Sequence, residues 1–418
     1  MLLLERIGTL VTPKPSSTKH REPPRACGKE MGEITLLRNA AVAIEGDTIL
    51  EVGSSAMLEE KYPTAERIDC SGKTLLPGFV DSHTHLVFAG NRSNEFAMRL
   101  RGATYQEIYE AGGGIRSTMR SVREASLEEI VEKCRPLVQS AFAHGTTTIE
   151  VKSGYGLDTE SEIKLLEAIR VLNREEEPTL VSTFLGAHAF PPEFANDRAG
   201  YVRLVIEEMI PEVAQRGLAE YCDVFTDEGY FTVEETEQIF AAAKEHGMKV
   251  RVHADELADV SAASMASRVK AVSADHLLMI SEEGIADMKE GGVIATLLPG
   301  TAFYLNLPYA PARKLIEAGL PVALATDCNP GTNMCENMGM TLALACMGMR
   351  MTIEESITAA TLNGAAALDR SDQIGQIAPG MKADLTLFAV PDYPDIVYHY
   401  GVNQVEMVVK NGKVAVNR

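Results

Sequence analysis

The chain has 418 residues, 45% of them hydrophobic, with a mean hydropathy of −0.04, enough to bury one large core and a smaller satellite. Thirty-nine basic against fifty-nine acidic residues give a net charge of −20, and no dense run of Lys and Arg offsets it, which speaks against nucleic acid or a membrane surface as partner. Seven cysteines without a C-x-x-C pair argue against a disulfide framework or a zinc knuckle and fit a reducing compartment, the cytoplasm.

Met1-Leu2-Leu3-Leu4 meets Glu5 and Arg6 at once, too short an apolar segment for a secretory signal. Residues 12–32, rich in Pro, Ser and charge, read as a loop, and residues 34–52 carry strand-like runs. An apolar run at 78–85 opens a different grammar, which repeats from about residue 146: a short β-branched run, a polar loop, an amphipathic helix and a Gly near its end. The later runs are 147–152, 180–187, 221–226, 249–254, 271–276, 293–298 and 322–327. Among the helices between them, 232–246 starts with Thr232 and Glu235 at capping-box spacing and ends before Gly247; Ser126 and Glu129 repeat the signal. The uncharged stretch 291–312 contains Pro299, Pro308 and Pro311, which break it as a membrane helix and leave a buried strand followed by a loop. Strand-like runs return over 383–416, with Asn411-Gly412 as a turn.

Eight β-runs alternating with helices predict an α/β architecture, a (β/α)8 TIM-type barrel over residues 77–372, with chemistry at the C-terminal strand ends. No G-x-G-x-x-G follows a first strand to favour a doubly wound sheet. Residues 1–76 and 373–418 are expected to combine into one small β-sandwich domain.

Five of the nine histidines, His83, His85, His188, His253 and His276, fall at or just past the ends of predicted strands. His83 and His85 are two apart on a strand, so both side chains point to one face and can share an ion. His253 ends the fifth run, Asp327 ends the eighth, and barrel closure brings the first and eighth strands together. Three imidazoles and a carboxylate suit one zinc or iron ion per chain and leave room for a water. His276 is either a further ligand or a group that orients the water, and Glu256, three residues after His253, is near enough to move a proton. The bland readings are satisfied core polar groups for His253 and Asp327 and a solvated first-turn acid for Glu256; four costly buried ionisable groups together weigh against the former. The fourth run, 221–226, contains no Lys to bridge a second ion, so one is expected; Lys152 is assigned to structure or to substrate orientation.

The stretches Asp81-Ser82-His83-Thr84-His85, Glu150-Val151-Lys152-Ser153-Gly154-Tyr155-Gly156, Gly186-Ala187-His188, His253-Ala254-Asp255-Glu256 and Ala325-Thr326-Asp327-Cys328-Asn329-Pro330-Gly331-Thr332 resemble the imidazolonepropionase family of amidohydrolases over almost the whole chain. The resemblance implies hydrolytic ring opening of 4-imidazolone-5-propanoate to N-formimidoyl-L-glutamate in histidine degradation, by a metal-activated water. It implies that His83, His85, His253 and Asp327 bind the ion, with Glu256, His276 and Asp327 as the candidates for moving the proton. Arg92 would hold the carboxylate of the small-molecule substrate, helped by Tyr105; Tyr155, His188 and Glu256 would line the ring; Asn329, Gly331 and Thr332 would contact the opened product. A homodimer is expected on the same ground. The rival readings are another amidohydrolase activity, such as a nucleobase deaminase or a different cyclic amidase, and a noncatalytic barrel scaffold.

Overall fold

The structure is a computed structural model that describes residues 1–16, 23–103, 107 and 112–417. Its strands form two sheets of eight. The first comprises β1 (Leu2–Pro13), β2 (Ile34–Glu45), β3 (Thr48–Ser54), β4 (Glu66–Asp69) and β5 (Thr74–Pro77) from the N-terminal end. The second comprises β6 (Phe79–Asp81), β7 (Thr146–Lys152), β8 (Thr179–Ala187), β9 (Tyr221–Thr226), β10 (Lys249–Ala254), β11 (Ser273–His276), β12 (Ile294–Leu297) and β13 (Val322–Leu324). Strands β14 (Leu385–Phe388), β15 (Val405–Lys410) and β16 (Lys413–Asn417) return to the first sheet.

In the second sheet every neighbouring pair is parallel and in chain order, and all eight predicted runs are present. The seam between β13 and β6 is completed just beyond their ends, where Asp327 N–H donates to the His83 carbonyl and His85 N–H to the Cys328 carbonyl, each at 3.0 Å. Helices cover the outside, as an all-parallel sheet requires. The helix Val233–Glu245 has the expected capping box from Thr232 and Glu235, and Leu127–Ala143 has the one from Ser126 and Glu129.

The first sheet runs β16-β15-β14-β5-β1-β2-β3, with β4 pairing β1. One apolar face is shared by Leu4, Ile7, Leu10, Val42, Ile44, Leu75, Leu385, Leu387 and Val409. The other places Val11, Leu76 and Val408 against Phe79 and Phe142 of the barrel. Its central strand, β1, is absent from the sequence reading. Glu5 and Arg6 interrupt the apolar alternation there because the strand bulges between Leu4 and Ile7, with Arg6 at φ +54°.

Two further segments differ from expectation. Residues 12–32 are not one loop: β1 extends to Pro13, and Ala26 and Gly28 bond to Asn363 and Leu320 beneath the barrel. Within 291–312, Pro299 opens the helix Pro299–Leu305 rather than a loop; proline is favoured in a first helical turn, where its missing N–H costs nothing. Among the described residues no helix is long and apolar enough to cross a membrane, and all seven cysteines are free thiols.

Candidate metal centre and active site

The barrel lifts five of the predicted side chains to its C-terminal mouth. His83 and His85 follow β6, His253 is the last residue but one of β10, His276 ends β11, and Asp327 stands three residues past β13; none exposes more than 3% of its surface. His276 at φ +76° and Asp327 at φ +53° occupy the left-handed region, a strain of about 1–3 kcal/mol each of the kind that concentrates at functional sites.

The donor atoms converge. His85 Nε2 lies 3.2 Å from His253 Nε2, and Asp327 Oδ1 lies 3.7 Å from His83 Nε2 and 3.6 Å from His85 Nε2. Ligands held about 2.0–2.1 Å from a tetrahedral zinc stand about 3.4 Å from one another, so His83, His85 and Asp327 have the spacing of atoms sharing one ion, and His253 adjoins them through His85. Their orientation is fixed from behind. His83 Nδ1–H donates to Asp275 Oδ2 at 2.6 Å, and its buried Nε2 is left without a protein partner. His253 Nδ1–H donates to Asp223 Oδ1 at 3.1 Å, which likewise turns the Nε2 lone pair inward. Thr301 donates to Asp327 Oδ2 at 2.5 Å, leaving Oδ1 for the centre. Burial first, then Lys152 for His83, His188 for His85 and His253 for His276, hold these imidazoles well below the usual pKa, hence in the neutral form a metal needs. Burial pushes Asp327 up to about 6 despite the Thr301 hydrogen bond. The residues present fit a metal ion.

Around this centre the other predicted residues are placed as follows. Glu256 Oε1 lies 3.5 Å from His276 Nδ1; burial, then the charges of Asp327 and Asp227, push Glu256 up to about 8. The His188 ring stacks on His85 with centroids 5.0 Å apart, its Nδ1 bonds the Gly154 carbonyl at 2.8 Å, and burial holds its pKa down to about 3. Tyr155 lies 5.8 Å from His85 and 5.3 Å from His188, centroid to centroid. Arg92 pairs through Nε with Glu95 at 2.9 Å and lies so close to Gly331 that a Cβ there would stand 2.3 Å from its Nη1. Asn329 is engaged within its own loop: Oδ1 accepts from the N–H groups of Gly331 and Thr332, and Nδ2 donates to the Asp327 carbonyl and to Thr332 Oγ1. Tyr105 lies outside the described residues.

A family model described as "Amidohydrolase family" matches residues 74–415, and one described as "Imidazolonepropionase-like composite domain, bacteria" matches residues 40–65. The imidazolonepropionase of Geobacillus thermodenitrificans is 50% identical over 393 residues, 93% of each chain. That of Alkaliphilus metalliredigens is 46% identical over 421 residues, covering 100% of this chain and 98% of its own. The chain belongs to the imidazolonepropionase family of amidohydrolases. An atrazine chlorohydrolase of Arthrobacter aurescens, solved with zinc, shares the fold at a TM-score of 0.75 and 18% identity, over 100% of this chain and 95% of that one. A zinc-bound adenosine deaminase of Xanthomonas campestris does so at 0.71 and 20%, over 100% and 93%.

In this member of the imidazolonepropionase family the groups that aim the site escaped the sequence reading. Asp223 and Asp275 orient the imidazoles, and Asp227 accepts from the N–H groups of Glu256, Leu257 and Ala258, fixing that turn. Glu162, fully buried, accepts from Gly154, Gly156 and Leu157 and so shapes the turn that presents Tyr155. The available signal was an acidic residue inside an apolar strand, as in Tyr221-Cys222-Asp223-Val224-Phe225, because such a group is costly unless paired.

Proposed function

We propose that this chain hydrolyses 4-imidazolone-5-propanoate to N-formimidoyl-L-glutamate, with one zinc or iron ion held by His83, His85, His253 and Asp327. The observation that carries the reading is the convergence of three buried imidazoles and Asp327 Oδ1, with His83 Nε2 lacking any protein partner. When bound, the ion supplies Lewis acidity that acidifies a water and polarises the ring carbonyl.

The chain's own residues do the rest. Arg92 keeps its outer guanidinium edge for the substrate carboxylate, since its Nε is occupied by Glu95. Tyr155 and His188 flank the flat ring, and the loop of Asn329, Gly331 and Thr332 borders the opened product. As the C–N bond breaks, the carbonyl carbon keeps the oxygen of water and becomes a carboxylate, while the ring nitrogen departs with the electron pair and takes a proton. Glu256, whose carboxyl burial and the charges of Asp327 and Asp227 push up to about 8 in the metal-free site, faces His276; it delivers that proton, and His276 steadies the negative oxygen. The working form is taken as a cytoplasmic homodimer, in which residues 1–76 and 373–418 form one domain beside the barrel of 77–372. Metal-loaded protein mixed with freshly generated substrate should abolish the ultraviolet absorbance of the imidazolone; persistence of that absorbance would sink the assignment.

A further inference from the structure

Beneath the candidate ligands, inside the barrel, lies a layer of five charged side chains with no exposed surface: Glu150, Lys152, Asp223, Arg251 and Asp275. Alternation along the strands puts Glu150 and Lys152 of β7 on the inner face, with Arg251 two residues before His253 on β10. Lys152 Nζ lies 2.8 Å from Asp223 Oδ2 and 2.8 Å from Glu150 Oε1. Arg251 Nη2 lies 2.8 Å from Asp275 Oδ2 and donates to the Ser82 carbonyl at 2.6 Å, while its Nη1 lies 3.6 Å from Glu150 Oε1. Glu150 Oε2 accepts the N–H of Thr84, the residue between His83 and His85.

We propose that Lys152 and Arg251 are positioning residues for the metal ligands. Arg251 anchors the carboxylate that receives His83 Nδ1–H, Lys152 anchors the one that receives His253 Nδ1–H, and Glu150 ties both cations to the backbone of the H-x-H segment. The layer holds three carboxylates against two cations, so each orienting aspartate is fixed in place and partly neutralised. A carboxylate behind a histidine ligand sets its tautomer and basicity, and one lacking its cation would be free to reorient or to take the proton. The same pairing accounts for why His83, Asp223 and Asp275, close enough together to hold an ion, serve as support: the ammonium and the guanidinium already occupy their carboxylates.

The inference rests on the metal site proposed above, and one experiment separates the two. Zinc affinity is measured by competition with a fluorescent chelator for the parent chain and for Lys152→Met, Arg251→Met and Arg251→Lys. The 15N shifts of the histidine rings are recorded on the metal-free forms. Affinity should fall about 10- to 100-fold in the Met variants and recover in Arg251→Lys, and the Met variants should lose the single Nδ1–H tautomer of the ring concerned. Should the Met variants fail to fold, Lys152→Gln and Arg251→Gln keep a hydrogen-bond donor toward each aspartate without its charge, and a fall in affinity in the same direction is expected. Folded variants with parent affinity and unchanged ring shifts, altered only in melting temperature, would overturn the inference. A parent chain that takes up no zinc would overturn the metal site itself.

Discussion

Arg92 has the Glu95 carboxylate on its inner nitrogen and Gly331 of the loop after β13 close against its guanidinium. A guanidinium held this way loses little freedom when it grips a second carboxylate. Arg92→Ala should therefore raise KM for the imidazolone propionate about 10- to 100-fold, the value of one or two charged hydrogen bonds, with a smaller change in kcat; steady-state kinetics checks it. Glu256 yields a prediction about pH. Its carboxyl is raised from an ordinary 4.5 to about 8 in the fold, so between those values the folded metal-free chain keeps a proton that the unfolded chain has lost. Stability must then fall as pH rises through that window and level off above it. Glu256→Gln removes this dependence, and the metal-free variant should gain a few degrees of melting temperature over the parent at pH 8 relative to pH 5. The candidate ligands are legible in the sequence because a histidine or aspartate at a strand end has one geometric meaning in a barrel. Asp223 and Asp275 are not, since no spacing rule says which imidazole a carboxylate one or three strands away will meet.

At the level of elements, the site depends on loops held by side-chain acceptors. Gly331 brings the eighth loop against the first. An Ala there would push on the end of the Arg92 side chain rather than on backbone, so Gly331→Ala should raise KM by displacing Arg92 and move the melting temperature by under about 2 °C. Glu162 closes three N–H groups around the Tyr155 turn, and its replacement by Ala would leave those donors without a partner at a cost of several kcal/mol; thermal unfolding reads the loss. The eight barrel strands were readable from β-branched runs and glycine-ended helices. The strand Leu2–Pro13 was not, because its bulge breaks the period-two pattern, and the helix from Pro299 was hidden by reading proline as a terminator when it stood at a helix start.

Across the whole molecule, the four candidate ligands come from the first, fifth and eighth barrel strands, which the fold joins only after closure. An ion bound there links chain segments more than 240 residues apart, between His83 and Asp327, so its binding free energy adds to the stability of the closed barrel. Stripping it with a chelator should lower the melting temperature by several degrees, and zinc should restore it; scanning calorimetry on both forms checks this. The terminal sheet contributes no candidate ligand, and its role is to cover the barrel through Val11, Leu76 and Val408.

The most direct test of the metal-dependent hydrolysis is to add zinc stepwise to metal-free protein and record the initial rate of imidazolone propionate loss after each addition. A rate that starts near zero, climbs linearly and stops rising at one ion per chain is the predicted result. Turnover in the absence of metal, or a rate indifferent to zinc, would contradict it.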